Sequence, residues 1–109
     1  MKILLPDELD KFIFYEIIRA NQNKEELTTW QIAKRYIQLT NKNNLRTKDI
    51  EKKFAVVRWR MEKYFKEGFF EKKFNGDGKP AYALNLNSIT IKKHKFPKDG
   101  LKEALIVRI

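Results

Sequence analysis

The sequence contains no cysteine and a single histidine, His94. The absence of cysteine excludes disulfide bonds, thiolate metal sites and cysteine nucleophiles. A metal site built from several histidines is excluded as well. No apolar run approaches the roughly 18 residues that a membrane-spanning helix requires, and the N-terminal segment lacks the pattern of a secretory signal peptide. We therefore expect a cytoplasmic protein that carries no metal and no other cofactor.

Acidic side chains are scarce after residue 27. Residues 1–27 carry four basic and six acidic side chains, whereas residues 28–109 carry twenty basic and eight acidic ones. The net charge of +10 therefore arises entirely after residue 27. A localised basic excess on a folded domain is typical of a protein that binds a polyanion. A lysine-rich composition from an AT-rich genome explains the excess equally well, so composition alone does not decide between the two.

The 109 residues, of which 42% are hydrophobic, are enough for one domain with a modest core. The first predicted helix covers residues 7–21, with Asp7 as its N-cap. Its main apolar stripe is accompanied by a second apolar face, formed by Phe14 and Ile18. A helix that is apolar on two sides usually has two partners. Either the C-terminal segment covers the second face, or that face is a dimer contact.

Two further helices are predicted, at residues 29–40 and from Thr47 to about Glu67, where Gly68 provides the stop. The core stripe of the third helix comprises Ile50, Phe54, Val57, Met61, Tyr64 and Phe65. Its opposite face mixes lysines with uncharged side chains: Lys48, Lys52, Ala55, Val56, Trp59, Lys63 and Lys66. Trp59 either contacts a bound molecule or packs against another element, and we expect packing because tryptophan is largely buried in most proteins.

Residues 69–86, FFEKKFNGDGKPAYALNL, predict a β-hairpin. Two runs of strand-forming residues flank NGDG, which offers an Asn-Gly and an Asp-Gly turn. Strand alternation places Phe70 and Phe74 on one face, where we expect both to belong to the core. The basic side chains of the arms and the tip are Lys72, Lys73 and Lys79.

The C-terminal extension, residues 87–109, has a less decisive pattern. ITIKKHKF predicts a strand and PKDG a turn, whereas LKEALIVRI fits either a short helix or a final strand. The four apolar residues at 104–107 require burial, in this chain or against a second copy. The extension is therefore a candidate dimerisation element, and we expect a homodimer.

The order of these elements resembles the winged helix-turn-helix family. LTTWQIAKRY (27–36) is similar to the family's second helix, and VVRWRMEKYFKEGFFEKKFNGDGKPAYALN (56–85) to its third helix and wing. The resemblance covers residues 7–86 of a single domain (1–109), and the polar connection at 41–46 is longer than the family's usual tight turn. It implies an α+β fold and a small DNA-binding regulator of the kind common among archaea, viruses and plasmids.

The resemblance further implies that the third helix enters the major groove of double-stranded DNA. The hairpin then follows the neighbouring backbone or enters the minor groove. The residues expected to contact DNA are Lys34, Arg35, Arg46, Thr47, Lys48, Glu51, Lys52, Ala55, Val56, Lys72, Lys73 and Lys79. Lysines supply charge without a sequence code, and Glu51 either reads cytosine or pairs with a lysine of its own helix.

Three other functions remain open from the sequence. A winged helix can serve as a protein-interaction module, with Trp59 and Val56 in contact with a partner. Exposed aromatic residues on the hairpin would instead favour RNA or single-stranded DNA. An enzyme is the least favoured function, because His94 lies in a lysine run and the carboxylates form no cluster by spacing.

Overall fold

A computed structural model describes residues 2–40, 46–74, 76–85 and 89–108. These residues form an α+β fold of three helices and two small antiparallel sheets. In chain order, the elements are β1 (Lys2–Leu4), α1 (Glu8–Gln22), β2 (Leu27–Thr28), α2 (Thr29–Thr40), α3 (Thr47–Lys66), β3 (Phe70–Phe74), β4 (Pro80–Leu84), β5 (Ile89–Phe96) and β6 (Gly100–Val107). The predicted connection at 41–45 lies outside the described residues.

Side-chain caps set the starts of the first two helices. The Asp7 carboxylate accepts a hydrogen bond from the Asp10 amide at 2.8 Å, as predicted for the N-cap of α1. At the start of α2, the Thr28 hydroxyl accepts from the Gln31 amide at 3.2 Å. The Gln31 side chain accepts in return from the Thr28 amide at 2.9 Å. This reciprocal pair is a capping box, and it identifies Thr28 as the cap.

Gly68 ends α3 as predicted. Its φ of +86° lies in the left-handed region that glycine adopts without strain. The Gly68 amide donates to the Phe65 carbonyl at 3.0 Å, and the Phe69 amide donates to the Tyr64 carbonyl at 2.9 Å. These two hydrogen bonds form a Schellman motif, which satisfies the last carbonyls of the helix and turns the chain into β3.

The predicted hairpin is formed by β3 and β4, but it is not an isolated pair of strands. The short strand β2 pairs with the outer side of β4, so the sheet order is β2-β4-β3. Phe74 is paired with Pro80, so neither the Asn-Gly nor the Asp-Gly dipeptide alone closes the hairpin. Because Leu27 and Thr28 pair with Tyr82 and Ala81, β2 anchors the middle and the tip side of β4 to the start of α2.

The C-terminal extension is a long hairpin of β5 and β6. Its last segment is a strand rather than a helix, and Gly100, with a φ of +71°, begins it. The N-terminal strand β1, absent from the sequence prediction, pairs with β6 and gives the order β1-β6-β5. Leu105 and Val107 are buried in the same core as the helices. The apolar run at 104–107 is therefore accommodated within this chain.

Phe14 of α1 occupies the centre of the core and is fully buried. Its ring centroid lies 4.7 Å from that of Tyr64 and 5.1 Å from that of Phe70. The end of α3 and the hairpin therefore cover this part of the second apolar face of α1. The C-terminal sheet lies against α1 elsewhere, where the Tyr15 hydroxyl donates to the Glu103 carboxylate. The two surfaces on which dimerisation was predicted are thus largely buried by the chain itself.

Across the described ranges, no helix combines the length and the apolar character needed to cross a membrane.

Candidate nucleic-acid interface

Helix α3 has one buried and one exposed face along its 20 residues. The predicted core stripe is confirmed: Ile50, Val57, Met61 and Tyr64 are buried, and Phe54 and Phe65 pack partly against the core. The predicted outward face is exposed at all seven positions: Lys48, Lys52, Ala55, Val56, Trp59, Lys63 and Lys66. A rigid apolar back therefore holds a partly basic face toward solvent.

Trp59 is 64% exposed, so the expectation that it packs against another element was wrong. The other six residues of this face of α3 are exposed as well. The Lys63 ammonium lies 5.9 Å from the centre of the Trp59 ring, within reach of a cation–π contact. An exposed aromatic ring between lysines is suited to contact with another molecule.

The lysines of this face take part in no ion pair with another described residue, whereas several basic residues elsewhere do. On the side of α3 that faces α1, Arg60 lies 2.8 Å from Asp7 and 2.7 Å from Asp10. Burial alone would raise the pKa of Asp7, but the Asp10 amide and the Arg60 guanidinium hold it below its ordinary value. Glu51 is exposed, and within the described ranges no lysine pairs with it.

The residues of α2 and of the start of α3 that were predicted to contact DNA differ in how exposed their side chains are. Lys34, Arg46 and Thr47 are exposed. The Arg46 side chain does not cap α3, so it is not held at the helix terminus. Arg35 instead pairs with Glu16 at 2.8 Å and is half-buried, which gives it a structural role between α2 and α1.

Lys72 joins the hairpin to α3. Its ammonium donates to the Glu62 carboxylate at 2.8 Å and lies 4.8 Å from the centre of the Phe65 ring. The Tyr82 hydroxyl also donates to Glu62. Lys72 and then Tyr82 lower the pKa of Glu62. Lys72 therefore fixes the angle between the hairpin and α3 and contributes little free charge.

The other two hairpin lysines are more exposed. The Lys73 ammonium lies 3.4 Å from Glu26 and 3.8 Å from Glu71, and its side chain remains 61% exposed. Surface pairs of this kind are weak and are easily exchanged for another anion. Lys79 is exposed beside the hairpin loop. These two lysines are the more accessible basic groups of the hairpin.

A cleft of about 510 Å³ separates α3 from the hairpin, and we call it the helix–hairpin cleft. Its lining comes from the start of α2, from α3 and from the hairpin: Thr28, Thr29, Trp30, Phe54, Arg58, Glu62, Lys72, Phe74, Lys79 and Pro80. Phe74, expected in the core, is 68% exposed. It shares a strand face with buried Phe70, but it lies closer to the hairpin tip, where less of the fold covers the sheet.

Sequence reasoning missed the cleft residues Trp30, Phe54 and Arg58. Helical periodicity places Phe54 and Arg58 on neighbouring turns of one side of α3, so their proximity was predictable. The position of Trp30 was not, because it depends on the angle between α2 and α3. The ring centroids of Trp30 and Phe54 are 5.8 Å apart.

Among the described residues, no three histidine, cysteine or acidic side chains lie close enough to hold a metal ion. No known protein family, curated protein or solved structure matches this chain. The geometry of the described residues is therefore the ground on which a function can be assigned.

Proposed function

We propose that this protein binds double-stranded DNA in a sequence-specific manner and acts as a transcriptional regulator of the winged-helix type. The observation that carries the proposal is the outward face of α3. Its lysines project from a helix whose back is fixed in the core, and they have no acidic partner among the described residues. The α+β order of three helices and a hairpin is broadly compatible with a winged helix.

The dimensions of α3 suit the major groove. A helix with its side chains is about 10–12 Å across, and the major groove of B-DNA is about 12 Å wide. Twenty residues span about 30 Å, so only one end of α3 can reach the bases. The proposed groove contacts, to base edges and to the phosphates that border them, are at the first three turns of the helix: Thr47, Lys48, Glu51, Lys52, Ala55 and Val56.

The remaining basic groups act on the phosphate backbone in this proposal. Arg46 lies just before the start of α3 and Lys34 lies on α2, and both side chains are exposed. Lys73 and Lys79 place charge on the hairpin, where they contact the neighbouring backbone or enter the minor groove. Lys72 and Arg35 act indirectly, since each is held by a carboxylate of another element.

A homodimer remains part of the proposal, because a two-fold symmetric protein reads two half-sites at once. The apolar surface that first suggested a dimer is largely buried within the chain, so this component rests only on the two-fold symmetry common to proteins that read two half-sites. Sedimentation at rising protein concentration, with and without DNA, measures it directly.

A protein-interaction module is the second candidate, and the exposure of Trp59 and Val56 favours it. Trp59 is 64% and Val56 41% exposed, and they lie on one face of α3. Apolar residues so placed fit a protein surface as well as a DNA groove. Quenching of Trp59 fluorescence by a protein partner, but not by DNA, would select this candidate.

Two double variants of equal charge test the DNA proposal. Lys48→Ala/Lys52→Ala removes two charges from the face of α3, and Lys92→Ala/Lys93→Ala removes two from exposed positions of β5. All four side chains are exposed, so the free energy of unfolding of each variant should stay within about 0.5 kcal/mol of the wild-type value. Binding of a labelled duplex is measured by fluorescence anisotropy at several salt concentrations.

Each phosphate contact contributes about −0.9 to the slope of log affinity against log salt. The α3 variant should weaken binding and reduce the steepness of this slope by about 2. The β5 variant should bind nearly as wild type does. Equal losses in both variants would show that charge alone drives binding, and the docking geometry would then be wrong.

A further inference from the structure

The helix–hairpin cleft has two aromatic walls. On one side, Trp30 and Phe54 pack with their ring planes at 53° to each other. On the other side, Phe74 and Pro80 occupy the end of the hairpin, where they are paired across the two strands. Phe74 lies on the strand face that points toward α3, the same face as buried Phe70. Its exposed ring is therefore directed over the cleft, which it lines.

The charge of the cleft suits a nucleotide. Arg58, Lys72 and Lys79 are part of its lining, with Glu62 as the acidic group. Glu62 and Lys72 pair with each other, so the net positive charge of the lining comes from Arg58 and Lys79. Aromatic walls bordered by cations combine the two features that single-stranded nucleic acid requires, a stacking surface and a partner for the phosphate.

The size of the cleft sets the scale of the ligand. Its volume of about 510 Å³ lies within the range of about 300–1,000 Å³ that small-molecule sites occupy. Such a space admits one nucleobase with part of its sugar, whereas a base pair within a duplex is too wide and too rigidly stacked. The cleft also adjoins the outward face of α3, since Arg58 and Trp59 are consecutive residues.

We infer that this cleft holds one unpaired nucleobase of the bound DNA, stacked on Phe74. The inference rests on the proposed DNA binding and adds a preference to it: DNA with an extrahelical or mismatched base is favoured over perfectly paired DNA. Extrusion of a paired base costs a few kcal/mol, and the cost is smallest for a base that is already unpaired. The cleft thus contributes to binding only where the duplex is opened.

The test compares two duplexes that differ by one extrahelical 2-aminopurine. Stacking of one base on an aromatic side chain changes affinity by about 5- to 140-fold. Wild type should prefer the bulged duplex by a factor in this range, and the 2-aminopurine fluorescence should be quenched on binding. Phe74→Ala should abolish both the preference and the quenching. Its affinity for the fully paired duplex should stay close to that of wild type.

Three further variants show whether stacking is the cause. Phe74→Trp retains an aromatic face and should retain the preference, whereas Phe74→Leu retains apolar bulk alone and should lose it. Leu101→Ala is the control for the loss of an exposed apolar side chain, because Leu101 is 64% exposed on the other hairpin. It should behave as wild type. A preference that survives in Phe74→Leu would overturn the stacking inference.

The outcomes separate this inference from the proposed function. If wild type binds the paired duplex with a steep salt dependence but shows neither preference nor quenching, the cleft does not hold a base and the DNA proposal stands. If the paired duplex is not bound while a single strand is bound and its 2-aminopurine is quenched, the duplex proposal fails and the cleft inference stands. Absence of binding to every DNA would overturn both.

Discussion

Truncation of the central aromatic residue, Phe14→Ala, should destabilise the protein severely. The side chain is fully buried and its ring contacts those of Tyr64, Phe69 and Phe70. Replacement of a core phenylalanine by alanine costs about 3–5 kcal/mol, because the apolar surface is lost and a cavity remains. With a urea slope of about 2 kcal/mol per molar, a loss of about 4 kcal/mol lowers the unfolding midpoint by about 2 M.

Phe74→Ala is the matched control, since it removes the same atoms from a side chain that is 68% exposed. Its free energy of unfolding should stay within about 0.5 kcal/mol of wild type. Both values come from urea denaturation followed by circular dichroism. If Phe14→Ala does not fold at all, Phe14→Leu supplies a smaller loss of the same sign. Equal destabilisation by the two alanine variants would refute the placement of these rings.

Two other predictions concern stability. Gly68→Ala should cost about 1–2 kcal/mol in a thermal melt because alanine is strained at positive φ, whereas Gly76→Ala, which has neither a positive φ nor a near neighbour, should cost little. Lys72 and Tyr82 lower the pKa of Glu62. The ionised Glu62 side chain therefore contributes to the free energy of unfolding above its ordinary pKa of 4.5, and this contribution is lost as the pH falls through the lowered pKa. Glu62→Gln should therefore differ most from wild type near neutral pH and converge with it in acid.

The helices were predictable because their signals are local. Asp7 and Gly68 fix helix ends through hydrogen bonds within a few residues, and the stripe from Ile50 to Tyr64 follows the helical period. The two shortest strands were not predictable in this way. β1 and β2 have only three and two residues, too few for an alternating pattern, and they form because a longer strand offers a free edge.

The C-terminal segment shows a second limit of local patterns. A run of four apolar residues fits a buried helix as well as a strand. The segment forms a strand because β6 pairs with β5 over eight positions. That pairing depends on Gly100 and the turn before it. Burial of Leu105 and Val107 then follows from the position of the sheet against α1.

The candidate site was predictable in its residues but not in their surroundings. Periodicity correctly assigned the outward face of α3. Strand alternation showed on which face of the hairpin Phe74 lies, but not that the rest of the fold leaves this end of the hairpin uncovered. The exposure of Trp59 likewise depends on the tertiary packing around α3, which the sequence pattern does not show. The pairing of Lys72 with Glu62 joins residues of two elements, so no local pattern reveals that this lysine has a structural role.

The most direct test of the central claim is the anisotropy of a labelled mixed-sequence duplex, titrated with wild-type protein at several salt concentrations. Contact by α3 and the hairpin with four or more phosphates predicts a slope of roughly −4 or steeper for log affinity against log salt. Such a slope would support the proposed docking and justify selection of a specific site. Absence of binding at low salt would contradict the claim and direct the search to protein partners of the α3 face.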